Sequence, residues 1–546
     1  MQEKTTFNIA GNIVDLQNEK IFKGRIYIEN GFIKSIEEDN SVAGEQTILP
    51  GLVDAHIHVE SSMLIPSEFA RLAVVHGTVA TVSDPHEIAN VMGIEGIKFM
   101  IENGKKVPFK FYFGASACVP ATPFETSGAS LGEKELEMLL SMDEIKYLSE
   151  MMNFPGVINR VPAEMKKIEI ANKYHKPVDG HAPGVKGEDA RKYAAAGVST
   201  DHECFTLEEA LEKIRFGMKI QIREGSAAKN FEALIDLMKD HAGKVLFCSD
   251  DKHPNDLVEG HINQMIKRAI AKGHDPLKVL RSVIINPVEH YKLDVGMLRT
   301  GDPADMIVVD NLKNFVVKAT YIQGQKVAED GQSLIASVEE LMPNRFMAEE
   351  ISDEDIRVDD YGKKIKVIAS YDGELITGIM ETIPKVVDGN IVSNVVSDVL
   401  KIVVLNRYEK AKPAVAFIKN IGLKEGAFAS SVAHDSHNIV AVGTSDNAIT
   451  QAINAIVRSK GGIAVVRDGK EEVLPLPVAG LMSNKDGYRV AARYQKLDKQ
   501  VHEMGSTLRA PFMTLSFMAL LVIPDLKLSD KGLFNGRTFG FTSLYA

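Results

Sequence analysis

The chain has 546 residues, of which 45% are hydrophobic and 25% charged, and this is the composition of a globular protein with more than one domain. Its formal net charge of -11 excludes the broad basic face that binds a nucleic-acid backbone, although a single base stays possible as a ligand. The three cysteines (Cys118, Cys204 and Cys248) lie far apart, which argues against a disulfide framework and predicts a reducing, cytoplasmic location.

No segment of the sequence has the pattern of a membrane anchor or a signal peptide. The N-terminal residues are polar, without the apolar stretch that a signal peptide requires. The longest late apolar run, about residues 510–523, contains Pro511, Thr514 and Ser516 and is too short to span a bilayer. We therefore expect no membrane partner.

Two β-rich segments flank the middle of the chain. Residues 1–50 contain short apolar strands, with an Asn30-Gly31 pair that is typical of a hairpin turn. Residues 296–345 repeat this pattern around Asp305–Val309 and Val316–Ile322. The two segments predict a small β-sandwich that is formed from both sides of the central region.

The central region, residues 51–295, alternates apolar strands with helical stretches. Eight strands in a region of this length predict a (β/α)8 barrel of the α/β class, whose active site lies at the carboxyl ends of the strands. The predicted strands are Leu52–His58, Val79–Ser83, Phe109–Ala115, Ile145–Glu150, Val178–His181, Val198–His202, Lys219–Arg223 and Val245–Asp250. Residues 346–546, which begin with an acidic connector, predict an additional α+β domain.

The segment Leu52–Glu60 carries two histidines, His56 and His58, at the end of the first predicted barrel strand. Alternate side chains of a strand point to the same face, so both imidazoles can bind one metal ion. A single His-x-His pair is more often structural. The pair becomes significant because further ligands follow at the ends of later strands.

Four more potential ligands lie at the ends of strands four, five, six and eight. They are Glu150, His181, His202 and Asp250. A single histidine at a strand end is usually a hydrogen-bonded structural group, but six nitrogen and oxygen donors at one barrel mouth are unlikely to meet by accident. Together they predict a site for one or two divalent metal ions, and a bridging carboxylate would allow two.

Several further segments make the sequence resemble the adenine deaminases of the amidohydrolase superfamily, and the resemblance covers essentially the whole chain. The segments are His56–His58, Ser83–Asn90, Met151–Val157, His181–Gly184, Asp201–Glu203, Arg223–Ala227 and Ser249–Pro254. These segments separate the chain from dihydroorotases and ureases, which usually bridge their metals with a modified lysine on strand four. Here Glu150 takes that position, and Lys146, four residues earlier, is the minor alternative.

The resemblance implies a hydrolase of purine salvage that converts adenine to hypoxanthine and ammonia. A bound metal would supply hydroxide at neutral pH for attack on C6. Asp250 would carry the proton to the departing amine, and Glu150 is a candidate for protonating a ring nitrogen. Manganese or iron is favoured by the resemblance, zinc is possible, and a homo-oligomer, with a dimer as the simplest guess, is expected. The alternative is a cyclic-amide hydrolase of the dihydroorotase or hydantoinase type.

Two segments are predicted to bind the substrate. The candidates are Ser83, Asp84, His86 and Glu87 after strand two, and Arg223, Glu224 and Ser226 after strand seven. Orientation of the metal ligands and simple loop capping are the structural alternatives. His434 and His437 could form another metal site, a lid or a subunit contact, and Asp251 is expected to be structural.

Overall fold

The computed structural model describes residues 6–546. Its N-terminal segment forms four strands: β1 (Thr6–Asp15), β2 (Lys20–Glu29), β3 (Phe32–Glu38) and β4 (Thr47–Pro50). Strands β2 and β3 pair antiparallel across a two-residue turn at Asn30 and Gly31. Both turn residues have positive φ, 52° and 85°, as the tight hairpin turn requires, so the predicted turn is confirmed.

Eight parallel strands follow in chain order and form the barrel. They are β5 (Leu52–Ile57), β6 (Thr78–Ser83), β7 (Lys110–Ala115), β8 (Ile145–Met151), β9 (Val178–Gly180), β10 (Thr200–Asp201), β11 (Lys219–Arg223) and β12 (Val245–Cys248). Strands β5 to β9 form one sheet and β10 to β12 another. Parallel bridges from Val178 to Val198 and from Ile57 to Asp250 connect the two sheets on both sides. The predicted barrel is confirmed, and every predicted strand overlaps an observed one.

Helices cover the outside of the barrel. They are α1 (Pro66–Ala73), α2 (His86–Met92), α3 (Ile94–Gly104), α4 (Glu133–Leu140), α5 (Phe154–Ile158), α6 (Pro162–Lys173), α7 (Gly187–Ala195), α8 (Leu207–Arg215), α9 (Phe231–Leu234), α10 (Pro254–Glu259), α11 (Ile262–Ala271), α12 (Pro276–Val283) and α13 (Ile285–Tyr291). Strand β5 is buried along its whole length, as expected for a parallel strand covered on both faces.

The chain then returns to the N-terminal sheet with β13 (Met306–Val309), β14 (Val317–Ile322), β15 (Gln325–Glu329) and β16 (Gln332–Ser333). Strand β13 pairs antiparallel with β4, and the combined sheet has the order β16-β15-β14-β13-β4-β1-β2-β3. The two β-rich segments therefore combine into one β unit, as the sequence predicts.

The remainder forms the C-terminal domain. Its strands are β17 (Ile365–Ala369), β18 (Gly378–Thr382), β19 (Lys385–Val387), β20 (Asn390–Val392), β21 (Val399–Leu405), β22 (Ala414–Lys419), β23 (Ala427–Ser430), β24 (Ile439–Gly443), β25 (Gly462–Arg467), β26 (Lys470–Pro475), β27 (Leu526–Ser529), β28 (Gly532–Asn535) and β29 (Gly540–Phe541). Its helices are α14 (Asp446–Ser459), α15 (Gly487–Glu503) and α16 (Pro511–Ser516). The main sheet has the order β18-β17-β22-β21-β24-β23-β25-β26.

The C-terminal domain is docked on the barrel through polar contacts of α1 and α15. The Glu68 carboxylate accepts from the backbone N–H of Gly487 at 2.9 Å, and Arg71 forms a 2.8 Å ion pair with Asp486. These contacts lie at the start of α15. Within residues 6–546, no helix has both the length and the apolar character needed to cross a bilayer.

Candidate metal centre

The six predicted ligands meet at the carboxyl ends of the barrel strands. The ring centroids of His56 and His58, at the end of β5, lie 4.9 Å apart, and Nε2 of His58 lies 3.2 Å from Oε1 of Glu150 at the end of β8. The other oxygen of Glu150 lies 2.8 Å from Nδ1 of His181 and 3.3 Å from Nε2 of His202. Glu150 thus stands between the two pairs of histidines.

Asp250 joins the first pair of histidines. Its Oδ1 lies 3.4 Å from Nε2 of His56 and 3.3 Å from Nε2 of His58. Its backbone N–H donates to the His56 carbonyl at 2.9 Å, and its carbonyl accepts from His58 N–H at 3.2 Å. Asp250 has φ 55°, a left-handed conformation that is uncommon outside glycine and typical of residues held at functional sites.

Arg223, at the end of β11, holds the Asp250 carboxylate from the opposite side. Its Nη1 lies 2.6 Å from Oδ2 of Asp250, and its Nη2 donates to Oε2 of Glu203 at 2.9 Å. Glu203 in turn lies 3.5 Å from Nδ1 of His181 and 3.4 Å from Nε2 of His202. Arg223 and Glu203 therefore form a buried ion pair that contacts the predicted ligands Asp250, His181 and His202.

The donor atoms fit a metal site. Both ring nitrogens of His56, Nε2 of His181 and Nδ1 of His202 are buried without a hydrogen-bond partner, which is unusual for buried polar atoms in native proteins. Three or more donor atoms come within 4.8 Å of one another in the group of His56, His58 and Asp250 and in the group of His56, Glu150 and His202. Nitrogen and carboxylate donors together suit first-row divalent ions.

The carboxylates and imidazoles of the site shift one another's pKa values. Burial alone would raise the pKa of Asp250, but Arg223 and the neighbouring histidines hold it well below its ordinary value. Burial would lower the pKa of His58, yet the carboxylates of Asp250 and Glu150 raise it well above its ordinary value. The pKa of His202 is raised for the same reason, with Glu150 and Glu203 as its neighbours. The Asp250 carboxylate is therefore ionised, as a metal ligand must be.

One cavity is lined by five of the predicted ligands, His58, Glu150, His181, His202 and Asp250, and we call it the metal cavity. Three of the predicted substrate-binding residues, His86, Glu87 and Arg223, line it as well. His86 lies 2.9 Å from Asp84 through Nδ1 and 3.4 Å from Glu150 through the same nitrogen.

The other four predicted substrate-binding residues do not line the metal cavity. Ser83 is paired with Thr81 at 2.8 Å, and Asp84 accepts from His86. Glu224 forms a 2.6 Å ion pair with Arg268, and Ser226 donates to Asp256. Their polar atoms are engaged by neighbouring side chains, so the geometry argues against substrate contact by Ser83, Asp84, Glu224 and Ser226 and for a supporting role.

Two further sequence expectations can be placed. Lys146, the alternative bridging group, lines a different cavity together with Lys105 and Asp294. Asp251 accepts a hydrogen bond from Ser61 at 2.5 Å and nevertheless lines the metal cavity. The contact with Ser61 fits the expected structural role of Asp251, and its position in the cavity wall also places it near the predicted metal ligands.

The C-terminal domain also reaches the metal cavity. Nδ1 of His434 and Nε2 of His437 contact the two carboxylate oxygens of Glu87, and Leu375, Asp435, Phe517 and Leu520 line the cavity. His434 and His437 lie outside the barrel, in the C-terminal domain, and domain docking brings both of them to Glu87, a contact that the sequence did not indicate. The sequence analysis also missed Glu203, although it stands beside the ligand His202 in the Asp201–Glu203 motif.

Comparison with known proteins agrees with this architecture. Residues 47–327 match the amidohydrolase family, and residues 374–540 match the adenine deaminase C-terminal domain. An adenine deaminase of Sulfurovum sp. (strain NBC37-1) is 57% identical over 534 residues, which cover 98% of each chain. An adenine deaminase of Salinibacter ruber is 54% identical over 542 residues, which cover 99% of each chain.

Among solved structures, a β-aspartyl dipeptidase from Fervidobacterium islandicum AW-1 matches 61% of this chain and 100% of its own, with 14% identity and a TM-score of 0.46. The full-length similarity to curated relatives is far stronger, and it includes both the barrel and the C-terminal domain. The chain therefore belongs to the adenine deaminase family of amidohydrolases.

Proposed function

We infer that this chain is an adenine deaminase, a hydrolase that converts adenine and water to hypoxanthine and ammonia. The observation that carries this inference is similarity of 47–57% identity to adenine deaminases over nearly the full chain. The similarity extends into a C-terminal domain whose family is named for the same enzymes. The converging donors of the barrel supply the chemistry that such a hydrolysis needs.

We propose that the site holds two divalent ions, with manganese or iron favoured over zinc. The ligands would be His56, His58, Glu150, His181, His202 and Asp250, with Glu150 placed between the two histidine pairs. Bound ions of this kind lower the pKa of water toward about 7 and so supply a nucleophile at neutral pH. The unpartnered nitrogens of His56, His181 and His202 support this assignment.

Asp250 is the proposed proton carrier of the reaction. Its Oδ1 faces the histidines, and its Oδ2 is held by Arg223 at 2.6 Å. Because Arg223 and the histidines keep its pKa low, Asp250 would hold a proton from the attacking water only briefly. A weakly basic carrier passes its proton readily to the departing amine.

Glu150 is better suited to bridging than to protonating a ring nitrogen of the base. His181, His202 and His58 contact its carboxylate and hold its pKa well below the ordinary value, although burial alone would raise it. A carboxylate that stays ionised is an acceptor and a ligand, with no proton to give.

The cavity walls would orient the base and exclude water. His86 and Glu87 lie on the side of β6, and Phe517 and Leu520 close the cavity from the C-terminal domain.

We further propose a place in purine salvage in the cytoplasm and a homo-oligomeric state, with no nucleic-acid or membrane partner. The three cysteines are free and buried, which fits a reducing compartment.

The test is ammonia and hypoxanthine production from adenine by the purified full-length protein. The protein is first stripped of metal and then resupplied separately with manganese, iron or zinc. We expect turnover to return with close to two metal equivalents, and the most active ion identifies the cofactor. Stoichiometric metal binding without release of ammonia from adenine would refute the substrate assignment, and ring opening of dihydroorotate would favour the cyclic-amide alternative.

A further inference from the structure

The metal cavity has one wall from each domain. The barrel supplies the proposed metal ligands, and the C-terminal domain supplies Leu375, Asp435, Phe517 and Leu520. A base whose reacting carbon lies at the ligands must direct its far edge toward the C-terminal wall. The residues of that wall therefore determine which bases can bind, according to the groups on their far edge.

The C-terminal wall is held in a fixed position by the barrel itself. His434 and His437 contact different oxygens of the Glu87 carboxylate, and all three side chains are buried. Asp435, one of the two residues between them on this loop, therefore has a defined place in the cavity. Hydrogen bonds between charged partners in a buried setting are strong, so this arrangement is rigid.

Asp435 has a carboxylate oxygen that no other group uses. Its Oδ2 is buried and has no hydrogen-bond partner in residues 6–546, and the side chain is only 3% exposed. Its Oδ1 lies 3.7 Å from Nε2 of His86, which is beyond hydrogen-bond distance. A buried acceptor without a donor is costly, and a bound ligand that donates an N–H removes that cost.

The neighbouring acceptors on the same side are already engaged. Glu87 is occupied by the two histidines, and Asp251 accepts from Ser61 at 2.5 Å. Among these three carboxylates, Asp435 is the one with a buried oxygen that lacks a hydrogen-bond partner. Phe517 and Leu520 offer apolar surface beside it, which suits the faces of a planar ring.

We propose, on the basis of the adenine deaminase function, that Asp435 determines specificity for the free base by accepting a hydrogen bond from the N–H of its five-membered ring. The amino-bearing carbon belongs to the six-membered ring and must face the metal ligands, so the five-membered ring faces Asp435. A free purine base carries an N–H there. A purine substituted at N9 has lost this donor and places a carbon substituent against a buried carboxylate.

The test compares adenine with 9-methyladenine in the metal-loaded full-length enzyme and in Asp435→Asn and Asp435→Ala. The readouts are kcat and KM for adenine and the inhibition constant of 9-methyladenine. We expect each variant to lower kcat/KM for adenine about 10- to 100-fold, mainly through KM, because a charge-assisted hydrogen bond is lost. We expect Asp435→Ala to bind 9-methyladenine as well as the wild type does or better, so that the preference for adenine falls at least about tenfold.

Asp530→Asn is the matched control, because Asp530 is another buried carboxylate of the same domain that does not line the cavity. Its preference for adenine over 9-methyladenine should equal that of the wild type. An unchanged preference in both Asp435 variants would overturn the proposal. If those variants fold poorly, binding of adenine and of 9-methyladenine to the wild-type enzyme is the deciding measurement. Equally tight binding of both ligands overturns the proposal, and at least about tenfold weaker binding of 9-methyladenine supports it. Failure of the wild type to deaminate adenine would instead refute the proposed function.

Discussion

The guanidinium of Arg223 lies 2.6 Å from the carboxylate of Asp250, on the side of that carboxylate that faces away from the histidines. The sequence suggested Arg223 as a substrate contact. In the structure its two terminal nitrogens are bonded to Asp250 and Glu203, so it is placed to orient the proposed metal ligand Asp250. The planar guanidinium can hold two carboxylates at once, and a lysine ammonium offers no such fixed fork.

We expect Arg223→Lys to keep the fold but to lower kcat for adenine about 10- to 100-fold, which is the usual effect of losing a group that orients metal ligands. The measurements are kcat, KM and metal content of the purified variant. Arg268→Lys is the control, because Arg268 also pairs with two carboxylates, Glu224 and Glu232, but lies away from the metal cavity. Equal effects of the two substitutions would contradict an orienting role for Arg223.

Glu150 provides a direct test of the two-metal assignment. Its oxygens lie between His58 on one side and His181 and His202 on the other. Glu150→Gln keeps the shape but removes the charge, so we expect the protein to bind at most one equivalent of metal and to lose at least about 100-fold in activity. Metal content by elemental analysis and activity on adenine check this. A variant that retained two equivalents and normal turnover would exclude Glu150 as the bridge.

The convergence of the six proposed ligands could be predicted because their positions depend on local sequence. Buried apolar strands alternate with helices, and polar residues at the ends of parallel strands must meet at one edge of a barrel. His56, His58, Glu150, His181, His202 and Asp250 follow from that rule alone. The contact between Glu87 and His437 could not be predicted, because it joins residues 350 positions apart and depends on how two domains dock.

Tertiary packing also decides which of the predicted substrate-binding residues line the metal cavity. Ser83 and Ser226 stand near the ends of barrel strands, as His86 and Arg223 do, and strand position does not distinguish them. Their hydroxyl groups are taken up by Thr81 and Asp256, which only the packed structure reveals. The contribution of Leu375, Asp435 and Phe517 to the metal cavity likewise depends on tertiary packing.

A single hydrogen bond connects helix α15 of the C-terminal domain to the loop after β12. The hydroxyl of Tyr494 lies 2.6 Å from Nδ1 of His253, and both side chains are buried. Tyr494→Phe should destabilise the protein by about 1–3 kcal/mol, because His253 then loses its partner in a buried position. Denaturant unfolding measures this, with Tyr361→Phe as control because Tyr361 is 65% exposed. Equal stabilities of the two variants would show that this bond adds nothing to domain docking.

Glu125 gives the protein a pH-dependent stability that is separate from the metal ligands. Burial, together with the charge of Asp435, raises its pKa from 4.5 to about 8. The native state therefore holds a proton on Glu125 that the unfolded chain releases between these two values. Since the native state binds more protons in this window, the contribution of Glu125 to stability is fully present below the lower value and is lost as the pH rises through the upper one.

Glu125→Gln replaces the neutral acid with a group that cannot ionise, so it removes this loss. We expect the melting temperatures of the wild type and the variant to lie close together at about pH 5 and to diverge toward about pH 9, where the variant becomes the more stable protein. Thermal unfolding across this range checks the prediction, and Glu133→Gln, on the surface at the start of α4, serves as control. If the difference in melting temperature between wild type and Glu125→Gln stayed constant across this range, Glu125 would already be ionised in the folded protein at the lower end of it.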